Sequence, residues 1–155
     1  MKLNQFTDYG LRILMYMSCK PAQLPATTIT ELADRFGISR NHLVKVVQFL
    51  SNQNVIDAQR GRGGGLRLFD APETYRIGKL VRLLEQDEEL INCENPMCIL
   101  AGNCGLKGIL NGAQNALYEY LDHYTLDDIS KPSVSQTLQT LFNYPPDQKM
   151  ESGLT

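Results

Sequence analysis

Between Thr28 and Arg67 the sequence spells out two short helices, a tight turn and a glycine-rich hairpin, an order that leaves little room for another arrangement. Thr28-Ile29-Thr30-Glu31 matches a capping box, in which the threonine side chain takes the N–H of the glutamate and the carboxylate takes that of the threonine. Ile29, Leu32, Ala33 and Phe36 follow at helical spacing. Gly37 is a natural stop, because glycine enters the left-handed conformation at little cost, and Ser39 can cap the next helix. Leu43, Val46, Val47 and Leu50 carry that helix to about Asn52, with Asn41, Lys45, Gln48 and Asn52 on the opposite face. Val55–Ala58 and Leu66–Phe69 read as strands around Gln59-Arg60-Gly61-Arg62-Gly63-Gly64-Gly65. Helix, glycine-containing turn, helix and basic hairpin together predict a winged helix-turn-helix domain over 1–75.

Such a domain reads DNA with the outward, N-terminal side chains of its second helix. Arg and Lys suit guanine acceptors and Asn or Gln suits adenine, so the candidate DNA-contacting residues are Thr28, Ser39, Arg40, Asn41, His42, Lys45 and Gln48. Arg60 and Arg62 at the wing tip suit phosphates or a minor groove. Charge is divided accordingly. Residues 1–70 carry nine Lys/Arg against five Asp/Glu, whereas 71–155 carry six against twelve, so only the first part suits a polyanion. For each side chain taken singly, a solvated surface charge is the competing explanation.

The remaining elements are simpler. Thr7 is the expected cap of a first helix, with Asp8 in its first turn, a Phe6–Leu11 staple, an inner stripe of Leu11, Leu14, Met15 and Ser18, and Pro21 as terminator. Tyr75–Glu85 reads as a further helix followed by acidic residues to Glu89. Leu106, Ile109, Leu110, Ala113, Ala116, Leu117, Tyr120, Leu121 and Tyr124 form the most regular stripe in the chain, about five helical turns. A lone long helix needs a cover, and a symmetric second copy supplies one. The segment 76–130 is thus expected to hold a ligand-binding loop and a dimerisation helix, and 131–155 a weakly ordered tail. The fold class is mainly α with a small β-hairpin wing. The longest apolar stretch, Leu11–Met17, is interrupted by Arg12, so no membrane span or signal peptide is expected and a cytoplasmic location is.

Three of the four cysteines, Cys93, Cys98 and Cys104, lie in one C-x4-C-x5-C segment. Cytosolic thiols stay reduced, which turns the reading from disulfides to metal. Structural zinc favours closer hooks and a fourth Cys or His, while His123 lies far along the chain. Soft thiolates at wider spacing suit an iron–sulfur cluster, with Gly102 and Gly105 relieving crowding. Zinc completed by a distant ligand and incidental cysteines remain open on spacing alone. Cys19 reads as a small buried residue. An electron-transfer enzyme would also carry a cluster, but the chain has no dinucleotide fingerprint and no catalytic Cys–His pairing.

Phe6-Thr7-Asp8-Tyr9-Gly10-Leu11-Arg12, Ser39-Arg40-Asn41-His42-Leu43-Val44-Lys45, the Arg60–Arg67 wing and the cysteine segment together resemble the iron–sulfur winged-helix regulators, in their nitric-oxide-sensing branch, from about Met1 to Ser130. The resemblance implies a homodimeric repressor of double-stranded operator DNA, not an enzyme, with nitric oxide as effector and a 4Fe–4S rather than 2Fe–2S cluster. It implies ligands Cys93, Cys98 and Cys104 and, from the first helix of the other subunit, Asp8, which Arg12 can hold when no cluster is bound. The cluster-biogenesis branch places a histidine three residues after the last cysteine. Lys107 stands there, which weakens that assignment. A regulator of the same fold sensing iron–sulfur or redox status, and a zinc-containing DNA-binding protein without a sensing role, are the alternatives.

Overall fold

The computed structural model describes residues 2–61, 63–86, 89–94, 96–102 and 104–143. Its elements run α1 (Gln5–Cys19), α2 (Ile29–Phe36), α3 (Arg40–Asn52), β1 (Ile56–Gln59), β2 (Gly65–Leu68), a 3-10 turn (Pro72–Thr74), α4 (Ile77–Leu84), α5 (Gly105–Leu121), α6 (Leu126–Ile129) and α7 (Pro132–Asn143). None of the helices is long and apolar enough to cross a membrane among the described residues.

The predicted helix-turn-helix forms as read. Thr28 and Glu31 complete the capping box, Gly37 closes α2 at φ +62°, and the Ser39 side chain accepts the His42 N–H at the start of α3. Leu43, Val46, Val47 and Leu50 are all buried. The strands sit slightly differently from the sequence reading, with Ile56 opposite Leu68 and Gln59 opposite Gly65. Val55 stands at the junction, its N–H donating to Leu50 O at 2.9 Å to close α3 while its C=O accepts the Phe69 N–H at 3.0 Å across the hairpin. The glycines are a steric requirement at two points. A Cβ on Gly64 falls 2.4 Å from Gln59 O, and one on Gly65, at φ +154°, falls 2.6 Å from the Ala26 side chain.

Helix α1 departs more from expectation. Its cap is Asn4, not Thr7: Asn4 Oδ1 accepts the Thr7 N–H at 2.7 Å, while Thr7 itself turns inward and is buried. Phe6 therefore lies inside the helix and packs edge-on against Phe49 at 5.3 Å instead of stapling to Leu11. The buried residues are Thr7, Gly10, Ile13, Leu14, Tyr16 and Met17; of the predicted stripe only Leu14 is among them, while Leu11, Met15 and Ser18 are half-buried, because α1 is covered by several elements at once. It packs against α3, β2, α4, α6 and α7.

Two helices are shorter than predicted. Tyr75 and Arg76 are extended, because Ile77 N–H donates to Tyr124 O and Leu126 N–H to Tyr75 O, both at 2.9 Å. Helix α5 stops at Leu121, and Asp122 Oδ1 instead accepts the Lys79 N–H at 2.8 Å, capping α4 from another helix. Helix α7 occupies 132–143, where weak order was expected. Leu138 is buried, and Phe142 lies 4.9 Å, centroid to centroid, from the Tyr16 ring, so apolar cover from α1 orders a sequence with little patterning of its own. The rest of that segment, 144–155, lies outside the described residues.

Helices α4 and α5 cross so closely that a Cβ on Gly78 stands 2.1 Å from Tyr118 O and 2.6 Å from Asp122 Oδ1. Gly78→Ala is expected to destabilise the chain by about 1–3 kcal/mol through forced separation of the pair. Circular-dichroism melting checks this, and an unchanged midpoint contradicts the close approach.

Candidate nucleic-acid interface and cysteine loop

A polar cluster fixes the start of α2 to α1. The Tyr16 hydroxyl donates to Glu31 Oε1 at 2.6 Å, and Lys20 Nζ reaches both oxygens of that carboxylate at 2.6 and 2.8 Å. Glu31 Oε2 also accepts the Thr28 N–H at 3.3 Å, and Thr28 Oγ1 accepts the Glu31 N–H at 3.1 Å. One side chain thus completes the capping box and joins two helices. Burial alone raises the pKa of Glu31, but the bonds from Lys20 and Tyr16 outweigh it and hold the carboxyl below the usual glutamate range. Burial and the neighbouring carboxylate push the Tyr16 phenol well up, so it stays a neutral donor.

Outside this cluster a groove of about 610 Å³ runs between α2, α3 and the wing base. Thr28, Thr30, Arg40, Val44, Gln48 and Arg60 are among its lining residues. Arg40 Nη1 donates to Thr30 Oγ1 at 2.5 Å, which aims the guanidinium along the groove. The structure therefore collects the candidates Thr28, Arg40, Gln48 and Arg60 around one concavity. Asn41 and Lys45 are exposed beside it on α3, and Lys45 makes no ion pair among the described residues. His42 leans on Tyr9 of α1, ring centroids 6.1 Å apart, and Ser39 serves as cap. Arg62 lies outside the described residues. Thr30 and Val44 are groove residues that pattern reading passed over. The signal for Val44 is its place four residues after Arg40 and four before Gln48, on a polar strip.

The cysteines lie on the other half of the molecule. Cys93, Cys98 and Cys104 are unpaired and half-buried. Cys98 N–H donates to Cys93 O and Ala101 N–H to Cys98 O, both at 2.9 Å, and Gly102 at φ +93° redirects the chain into α5. Cys93 and Cys104 line an open depression of about 410 Å³ with Glu94, Gly102, Lys107 and Asn111; Cys98 does not. Among the described residues no three His, Cys, Asp or Glu side chains converge on a point that would hold a single metal ion. The donor set nonetheless fits an iron–sulfur core: all three thiols are free of disulfides, two of them, Cys93 and Cys104, border the depression, and a Cβ on Gly102 or Gly105 would meet nothing within 4 Å. These glycines leave room; they do not relieve an existing contact. Lys107 Nζ pairs with Glu89 at 2.8 Å, which raises its pKa. Asp8 is half-buried on α1 and held by Arg12, at 2.9 Å to Nη2 and 3.0 Å to Nε, and it does not line the depression. Cys19 Sγ lies 3.5 Å from Ser130 O, half-buried against the core.

Residues 3–132 match the Rrf2 family model, described as an iron-dependent transcriptional regulator. The HTH-type transcriptional regulator NsrR of Bacillus licheniformis is 43% identical over 132 residues, covering 83% of this chain and 92% of that one. NsrR of Bacillus subtilis is 40% identical over 135 residues, covering 84% and 91%. Among solved structures, CymR, the global cysteine regulator of B. subtilis, superposes with a TM-score of 0.67 at 24% identity, over 84% of this chain and 96% of that one, which shows a common fold.

The depressed Glu31 makes a pH prediction. Its contribution to stability is intact above the unfolded-state value near 4.5 and is lost as the pH falls further, through the lower folded-state value. Melting midpoints of the parent are expected to fall across that acidic window more steeply than those of Glu31→Gln, which starts lower. Parallel pH profiles contradict the assignment.

Proposed function

The chain belongs to the Rrf2 family of transcriptional regulators, and from that premise we propose that it is a dimeric, iron–sulfur-dependent repressor of operator DNA that lets go when nitric oxide arrives. It is a regulator, not an enzyme. DNA contact is assigned to the groove: Arg40, Asn41, Gln48 and Lys45 on α3, Thr28 and Ser39 at the helix starts, His42 at the α1 side, and Arg60 and Arg62 on the wing.

Dimerisation rests on α5. Leu106, Ile109, Ala113, Ala116 and Tyr120, spaced alternately by three and four, are all exposed, Ile109 by 71%. Apolar residues in that repeat form the seam along which paired helices pack. Gly112, Ala113 and Ala116 in the middle allow close approach.

The observation that carries the sensing reading is the set of three unpaired, half-buried thiols on one loop at the start of that bare helix. In the proposal Cys93, Cys98 and Cys104 hold the cluster, 4Fe–4S by family resemblance, and Asp8 of the opposite subunit is the remaining ligand. A cluster bound there supplies iron accessible to nitric oxide. The chain's own part is mechanical. Asp8 sits on α1, against which α3 is packed, so a tie from Asp8 to the opposite cysteine loop sets the separation of the two α3 helices. Operator binding needs that separation near 34 Å, one turn of the duplex. Once Asp8 is free, Arg12, one turn along the same helix, retains its carboxylate as in the present pairing, and the constraint is gone.

Lys45→Ala is expected to weaken duplex binding to a similar degree for all sequences and to reduce the salt slope by about one. An unchanged slope in a fluorescence titration removes Lys45 from the interface.

The sensing reading is tested on anaerobically purified protein by absorption, iron and sulfide analysis, and operator binding before and after nitric oxide. The expected material is brown, contains iron and sulfide, and releases DNA on treatment. Cys98→Ser should lose the iron, and Asp8→Ala should bind DNA but no longer respond. Colourless, zinc-containing protein with operator binding indifferent to nitric oxide would falsify it in favour of a structural zinc site.

A further inference from the structure

Helix α3 presents one apolar side chain where the rest of its outer strip is polar. Leu43, Val46, Val47 and Leu50 form the buried face, and Arg40, Asn41, Lys45, Gln48 and Asn52 the exposed one. Val44 lies among the latter, 38% exposed, and lines the groove one turn from Arg40 and one turn from Gln48. Resting on the assignment of this groove to duplex DNA, we propose that Val44 is a specificity-determining residue that selects thymine through the 5-methyl group of the base.

The argument is one of chemistry and position. In the major groove thymine differs from cytosine and from the purines by a projecting methyl group, and apolar side chains are the partners that recognise it. Arg40 is tied to Thr30, and Gln48 offers an amide suited to adenine, so the two polar neighbours frame Val44 with hydrogen-bonding readers. Val is β-branched and stiff, so placing its methyls against a base sacrifices little side-chain freedom. It is not needed to fill the core, where Val47 beside it is already buried. Loss of one methyl contact corresponds to about fourfold in affinity, equivalent to roughly 0.8 kcal/mol per buried carbon.

The experiment uses the full chain prepared anaerobically and a duplex it selects itself from a random library. Each thymine of that duplex is replaced in turn by deoxyuridine, which removes the methyl and keeps the pairing. Wild type is expected to lose about fourfold affinity at one thymine per half-site, and Val44→Ala to bind thymine and uracil versions equally at that position. If Val44→Ala binds too weakly to measure, Val44→Thr, which keeps the branched shape and one methyl, is compared instead and should show a reduced thymine-to-uracil difference. The proposal is overturned if no replacement matters, if replacements affect wild type and variant alike, or if the selected site requires no thymine. A chain that enriches no duplex at all defeats the DNA-binding assignment itself, a distinct result.

Discussion

A Cβ on Gly10 would stand 2.7 and 2.8 Å from the two terminal carbons of Leu84, so the buried Leu84 side chain of α4 is seated directly on the bare backbone of α1. The contact makes α1 the axle of the molecule. Tyr16, fully buried, hydrogen-bonds Glu31 and so fixes the first turn of α2. Leu84 and the α6–α7 segment also cover α1, with Phe142 of α7 against that same Tyr16 ring, and the Asn4 N–H reaches Glu85 Oε1 at 2.9 Å. Burying a large aliphatic side chain stabilises by roughly 1.5–3 kcal/mol, and Ile13 and Leu14 are both inaccessible to solvent. An element packed this fully moves as a unit. Helix α3 packs directly on α1, which is why a first-turn carboxylate of α1 is the point of control in the proposed switch.

The second half of the molecule is built in the opposite manner. Among the described residues the main cover of helix α5 comes from α4, with Arg82 stacked 4.7 Å over the Tyr118 ring. Its other side is apolar and bare, and the loop before it exposes Met97 and Ile99 more freely still, with Leu100 beside them. A single copy leaves this surface in water at a cost that scales with its area. The tightly packed head and the half-covered arm assign different roles to the two halves: rigidity where bases are to be read, and unsatisfied surface where a second subunit and a cluster are proposed to sit.

Much of the head was legible in the residues. The Thr28–Glu31 box, Gly37, Ser39 and the buried face of α3 depend on neighbours within a few positions, so local chemistry decides them. The triple glycine marked a hairpin for the same reason, although the paired strands are 56–59 and 65–68, one residue off the reading at each strand. The long α5 stripe and the clustered cysteines were equally visible, as was the tie between Asp8 and Arg12 one turn apart.

What the sequence by itself determined was the set of elements closed by short-range bonds and the residue types offered at each surface. Only the tertiary structure decided that Asn4 caps α1 while Thr7 turns inward, that Asp122 of one helix caps another, that 132–143 is helical, and that Val44 joins Arg60 across a groove. Apart from the Asn4–Thr7 cap, which spans three residues, each of these turns on an atom contributed by a distant part of the chain. A one-dimensional pattern records which groups can bond, and folding alone determines which of them come within reach.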